Sequence, residues 1–195
     1  PIVPVIVYVN PVPYVNPIND TILCNGITFN PISFNGSGNG TIYNWSALDA
    51  TIGIGSLNGV NSTPGFITTN TTSVVKSSNF IVTPIFINNS VTCIGETEYF
   101  NISVVPTPSS YPLPDTSICN GIQLPLNVIA GPIPSTIYNW VNSNTSISLN
   151  SSGTGNVPSF NASNITAIQQ NSTVTITPVI LHGGVQCSGL TDDYV

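Results

Sequence analysis

The sequence predicts an all-β chain made of two tandem β-sandwich domains, with a displaced N-terminal strand. Three observations lead there. First, the chain repeats itself. Ile42-Tyr43-Asn44-Trp45 returns as Ile137-Tyr138-Asn139-Trp140, and Cys24-Asn25-Gly26-Ile27 as Cys119-Asn120-Gly121-Ile122, each 95 residues later. Thr83-Pro84 returns as Thr177-Pro178 and Cys93 as Cys187, each 94 residues later. A fixed period of that length means tandem domains of one fold, and it matches the ~100 residues of an immunoglobulin-like sandwich. Second, no segment spaces its apolar residues three and four apart, so none reads as helix. Third, segments such as Thr173-Val174-Thr175-Ile176-Thr177 alternate polar and apolar, which buries one face of a sheet.

Taken in order, strands are expected at 3–9, 21–24, 27–34, 41–46, 51–54, 65–69, 79–87 and 97–105 in the first copy. The second copy should place them at 116–119, 122–129, 136–141, 146–149, 159–162 and 172–181. Gly/Asn/Ser clusters at 35–40, 55–65 and 150–156 read as turns and loops. Proline-rich stretches at 10–18 and 106–114 read as stiff, extended linkers, so a rod of domains is expected. Pro84 and Pro178 lie inside strand patterns, where a missing N–H marks an edge or a bulge. Trp45 and Trp140 follow a Tyr two residues earlier on the same strand face, the placement of a sandwich-core Trp.

Where the copies are cut matters most for function. The first copy closes on Glu98 to Val105 and then Pro106-Thr107-Pro108. Residues Val3 to Pro13 match that segment in type at the same offset, with Val9 corresponding to Val104. The second copy stops at Val195, its last strand missing or barely begun. The expected organisation is therefore a strand over 1–12 belonging to a preceding or neighbouring domain, then sandwiches over 13–108 and 109–195. Ile2, Val3, Val5, Ile6, Val7 and Val9 are the candidate inter-subunit strand. They would either end a preceding repeat of a longer array or add to the open sheet edge of a neighbouring copy.

Composition narrows the function. The chain has one Lys, no Arg, one His and 4% charged residues. Phosphate neutralisation needs Lys and Arg, so nucleic-acid binding is close to excluded, as is attraction to an anionic membrane. The longest apolar run, Ile2 to Val9, is interrupted by Pro4 and far short of the ~20 residues of a membrane helix. Low charge with many apolar residues suits a protein coated in sugar or packed into an assembly. Cys24 and Cys93 are 69 residues apart and Cys119 and Cys187 are 68 apart. Repeat logic pairs them within each domain, as Cys24–Cys93 and Cys119–Cys187, against the alternative of free buried thiols. No CxxC or clustered His accompanies them, so no metal is expected.

Cys-Asn-Gly, Tyr-Asn-Trp, Gly153-Thr154-Gly155-Asn156-Val157-Pro158-Ser159-Phe160, Thr175-Ile176-Thr177-Pro178 and the second Cys together resemble the PKD-like repeats of Bacteroidetes surface adhesins. The first copy departs at Gly59 to Phe66, keeping only Pro-x-Phe. The resemblance implies an immunoglobulin-like sandwich and an extracellular structural or adhesive role, with no catalytic residues to carry over.

Thirteen Asn-x-Ser/Thr sequons are present. Asn35, Asn39, Asn61, Asn70, Asn88, Asn144, Asn161 and Asn171 are the candidate glycan acceptors, whereas Asn44 abuts the expected core Trp. Thr21, in Asp20-Thr21-Ile22 beside the linker, fits the O-glycosylation pattern of Bacteroidetes. Glycans would mask apolar surface and hinder proteases. Asp192-Asp193 and Glu96/Glu98 are too few oxygens to expect calcium. Lys76 has no counterpart in the second copy, which argues against an isopeptide crosslink, and His182 has no partners for catalysis. An enzyme needs converging acids, bases or metal ligands, and none is expected here. The leading reading is a structural subunit or repeat of an extracellular filament or adhesin, partnered by copies of itself or by adjacent repeats. A carbohydrate-binding module is the alternative, with Tyr8, Tyr14 and Tyr111 as its candidate stacking residues.

Overall fold

The computed structural model describes residues 3–195; Ile2 of the expected strand lies outside them. The fold is all-β, two sandwich units in sequence. The strands are β1 (Thr21–Cys24), β2 (Thr28–Phe29), β3 (Thr41–Ala47), β4 (Asn58–Val60), β5 (Phe66–Ile67), β6 (Lys76–Asn88), β7 (Val91–Ile94) and β8 (Glu98–Val105). They continue as β9 (Gln123–Leu124), β10 (Ile137–Asn142), β11 (Ser152–Thr154), β12 (Phe160–Asn161), β13 (Val174–His182), β14 (Val185–Ser188) and β15 (Asp192–Tyr194). The first compact unit holds the chain up to Asn70 plus Val75–Val104, the second Thr71–Val74 plus Val105–Val195.

In the first unit the main sheet runs β1-β8-β6-β3-β4, with β7 also on β6. The small sheet is β2 with β5. Alternation along β3 and β6 turns Tyr43, Trp45, Ala47, Phe80 and Val82 inward. The core adds Phe29, Phe34, Ile52, Ile54, Phe100, Ile102 and Val104. Phe80 stacks on Phe100 with ring centroids 4.7 Å apart, and Phe29 meets Phe66 at 5.0 Å.

The second unit has the order β11-β10-β13-β14, with β15 also on β13, and the pair β9–β12. Its core gathers Ile129, Tyr138, Trp140, Leu149, Val157, Val174, Ile176 and Tyr194. Tyr194 pairs with Val174 as Phe100 pairs with Phe80, so the last strand has begun: three residues of β15 stand where β8 has eight.

Several elements differ from expectation. Residues 51–54 are a turn around Gly53 (φ 105) that still buries Ile52 and Ile54. Residues 146–148 fall in a 3-10 turn, Thr145–Ile147, and its C-cap Ser148, and Leu149 is buried just beyond it. The expected strands 27–34 and 122–129 shrink to two-residue strands with isolated bridges beyond. Four short strands, β4, β7, β11 and β14, form where the sequence reads as loop or carries no strand signal.

Pro84 does not sit at a sheet edge: β6 is flanked by β3 on one side and by β7 and β8 on the other. Its carbonyl accepts from Gly95 N at 3.0 Å, between the end of β7 and the start of β8. The missing N–H therefore faces a break in the ladder, where no acceptor needs it. Pro178 repeats this with Gly189 N at 2.9 Å, between β14 and β15.

Candidate functional site: an assembly edge

The candidate site is the exposed N-terminal segment together with the edge that its sequence equivalent fills. Two backbone contacts fix the equivalence. A side chain at Gly95 would collide with the Pro13 carbonyl, and one at Gly189 with the Pro108 carbonyl. A side chain at Gly36 would collide with Tyr14 O, and one at Gly131 with Ser109 O. The linkers thus enter their units in the same way, with Pro13 in the place of Pro108, again 95 residues apart.

Counting back from these anchors, Val5, Val7 and Val9 correspond in the repeat to Phe100, Ile102 and Val104. The two sets could hardly differ more in environment. Val5, Val7 and Val9 are 87%, 76% and 90% exposed; Phe100, Ile102 and Val104 are 2%, 0% and 0% exposed. Residues 3–9 belong to no strand in this chain, though Val3 and Ile6 are also exposed.

The open edge of the second unit is visible by comparing units. In the first, β8 runs between β1 and β6, pairing Asn101, Ile102, Ser103 and Val104 with Asn79, Ser78, Ser77 and Lys76. Asp20 Oδ1 opens the β1 side by accepting from Asn101 N at 2.7 Å. In the second, Asp115 Oδ1 accepts from Val195 N at 2.9 Å, and Thr116 N donates to Val195 O at 2.8 Å. There the similarity stops, and residues 116–119 form no strand. The physical reason is that β15 supplies a neighbour for the first rung only. Among the described residues no strand of this chain runs between 116–119 and 171–173.

The cysteines overturn both expected pairings. Cys24 and Cys187 are disulfide-bonded, while Cys93 and Cys119 are free thiols. Distance explains it. Cys24 ends β1, and its neighbour Asn25 accepts from Asn70 N at 2.7 Å, while Asn70 Nδ2 donates to Val104 O at 2.7 Å. Val104 is level with Lys76 on β6, whereas Cys93 is level with Phe86. Ten residues of strand separate those levels, about 33 Å, far beyond the span of a disulfide. In the second unit Cys187 pairs with Ile180, while Thr116 is already beside Val195, next to the Val174 end of β13.

Trp45 and Trp140 are buried in the cores, as expected. Each indole lies over a glycine of the adjoining strand, Trp45 opposite Gly59 and Trp140 opposite Gly153. Neither indole N–H has a hydrogen-bond partner.

The candidate glycan acceptors divide. Asn35, Asn39, Asn61, Asn88, Asn161 and Asn171 are exposed. Asn88 Nδ2 donates to Asn10 Oδ1 at 2.9 Å, and Asn61 Oδ1 accepts from Tyr43 N at 3.0 Å. Asn144 caps the 3-10 turn, and its Nδ2 donates to Asn171 O at 3.0 Å. Asn70 is no acceptor: it is 2% exposed and its amide holds the Val104 carbonyl. Asn44, set aside in the sequence, points to the face opposite Trp45 and is exposed. Thr21 is the half-buried first residue of β1, as the expected strand 21–24 has it, next to the linker.

Tyr8, Tyr14 and Tyr111 are exposed. Burial pushes the phenols of Tyr43, Tyr138 and Tyr194 above their ordinary pKa. Asp49 Oδ1 accepts from Thr51 N at 2.7 Å, which holds its carboxyl below the usual range. Among the described residues no three His, Cys, Asp or Glu side chains gather as a metal site would require.

No family model matches the chain, and no curated protein sequence matches it. Solved structures match at a distance. The human desmocollin-1 ectodomain is 14% identical, with a TM-score of 0.31, over 93% of this chain and 40% of that one. A SusE-like surface-located polysaccharide-binding protein from the Bacteroides thetaiotaomicron heparin utilisation locus is 12% identical, with a TM-score of 0.27, over 95% and 34%. The zebrafish RET cadherin-like domains 1 to 4 are 11% identical, with a TM-score of 0.23, over 94% and 50%. The chain spans half or less of each. Scores this low carry no functional argument, and the chain is assigned to no family.

Proposed function

We propose that this protein is a non-enzymatic structural unit of an extracellular filament or adhesin of PKD-like repeats, joined end to end by strand complementation. Residues 3–9 complete the second-unit edge of the neighbouring copy, or of the repeat before it in a longer chain. One observation carries the reading: the Pro13–Gly95 and Pro108–Gly189 anchors make residues 3–9 the counterpart of a strand that is buried in the first unit. Strand addition would pair the segment's backbone and move its valines from water into a core, contributing ~1.5 kcal/mol or more per side chain. The bonded Cys24 and Cys187 fit an oxidising compartment outside the cell, and the near-absence of Lys and Arg leaves few trypsin-type cleavage sites on an exposed chain.

The test is self-association of the full chain under reducing conditions, followed by sedimentation and electron microscopy. The unaltered chain should form concentration-dependent linear oligomers, and Val5→Asp/Val7→Asp should stay monomeric with both sandwiches folded. Equal association by that variant would refute the reading. So would oligomers in which the amides of residues 3–9 exchange as fast as in the monomer.

A further inference from the structure

We infer that the two free thiols are the halves of an intermolecular disulfide, Cys119 of one copy to Cys93 of the next, which locks the head-to-tail junction. This rests on the end-to-end reading above and names its covalent lock. The two repeats place their cysteines in matching local structures. Gly26 (φ 81) donates to Thr68 O at 2.8 Å beside Cys24, and Gly121 (φ 82) donates to Ala162 O at 2.7 Å beside Cys119. Asn25 Oδ1 accepts from Asn70 N, and Asn120 Oδ1 from Asn164 N. Cys93 on β7 faces Phe86, and Cys187 on β14 faces Ile180. Yet the two repeats oxidise opposite positions. The first-position cysteine is bonded in the first unit and free in the second; the second-position cysteine is free in the first and bonded in the second.

Strand complementation supplies the missing partners. Within the first unit, Asn70 ties the Cys24 turn to Val104. By the repeat, the Cys119 turn of an acceptor copy would lie beside Val9 of the incoming copy. Four residues beyond Val9, Pro13 packs on Gly95, two residues from Cys93. Cys119 is exposed and Cys93 half-buried, so both are open to reaction before docking closes over them. The step balances as an exchange: two thiols give up two protons and two electrons to an external disulfide oxidant, which leaves as two thiols. One thiol of each kind per copy makes the contact heterologous, and it propagates rather than closing at a dimer.

The experiment oxidises the full chain in a glutathione redox buffer and reads a non-reducing gel and a chymotryptic map. A ladder of multiples linked through Cys93–Cys119 is expected. Cys93→Ser and Cys119→Ser should each stay monomeric alone, and an equimolar mixture of the two should stop at dimer. A dimer from either variant alone would mean a homotypic bond and overturn the inference. If the unaltered chain associates reversibly but never crosslinks, the lock is wrong and the filament reading stands. If it neither associates nor crosslinks, both fall.

Discussion

Substituting Gly59 by alanine should destabilise the first sandwich, because the residue serves as the floor beneath Trp45. An ideal Cβ at Gly59 lies 2.7 Å from Trp45 Nε1 and 2.9 Å from both Cε2 and Cζ2, where ordinary contact starts at 3.4 Å. The indole would have to lift by roughly 0.5–0.7 Å in a close-packed interior. It has little freedom to do so: Trp45 is buried, with the Phe80 ring centroid 6.0 Å away. Overpacking of this kind costs about 1–3 kcal/mol, and alanine recovers about 0.5–1 kcal/mol over glycine inside a strand. The net expectation is about 0–2.5 kcal/mol, centred on about 1.2 kcal/mol, close to a tenfold loss in folding equilibrium. Each unit holds one Trp, so fluorotryptophan labelling yields one fluorine resonance per sandwich. Urea titration should lower the midpoint of the Trp45 signal and leave that of Trp140 in place. Gly55→Ala, four residues away with nothing within 4 Å of its Cβ, is the control. A Gly59→Ala midpoint indistinguishable from Gly55→Ala would refute the argument, as would a failure of Trp45→Phe to relieve the effect in a double-mutant cycle.

Other outcomes follow from the same geometry. Asn70→Ala leaves the Val104 carbonyl without its amide donor and should cost about 1–3 kcal/mol, read as a lower urea midpoint; peptide mapping by mass spectrometry should find Asn70 unmodified. Tyr43, Tyr138 and Tyr194 have raised pKa values, so their contribution is complete below the unfolded tyrosine pKa, about 10. It is lost as pH rises through their folded values; absorbance at the tyrosinate band should show these three titrating last, together with unfolding. Asp49 has a lowered pKa, so its contribution is present above the unfolded value of about 4 and fades as pH falls through the folded one. Carboxylate NMR should find it the more acidic for its bond to Thr51, and Thr51→Pro should raise it toward the ordinary value.

Much of this architecture is legible in the sequence where one face alternates over many residues. β3, β6, β8, β10 and β13 all announce themselves that way. Their short partners do not. Asn58-Gly59-Val60 and Ser152-Gly153-Thr154 look like loop because each needs a glycine under a Trp, and glycine is a turn signal by default. The β6–β7 hairpin turns on Asn89 (φ 47) and Ser90 (φ 62), a weaker sequence signature than the Gly183-Gly184 turn of the second copy. Cysteine spacing shows which positions correspond, but pairing depends on level along β6, which no count of residues reveals. Asn70 belongs to a perfect sequon, and only its tie to Val104 disqualifies it.

In a filament joined as proposed, the proline anchors would set the direction in which the first sandwich bears load. In the first unit, tension arriving through the linker enters at Pro13, against Gly95 and level with Pro84. It leaves through Val104, level with Lys76 at the far end of β6. Force between those points runs along the strands, so the hydrogen bonds of β6 and β8 share it together in shear rather than opening one at a time. A sheet held that way yields slowly, and its resistance is governed by the unfolding rate rather than by equilibrium stability.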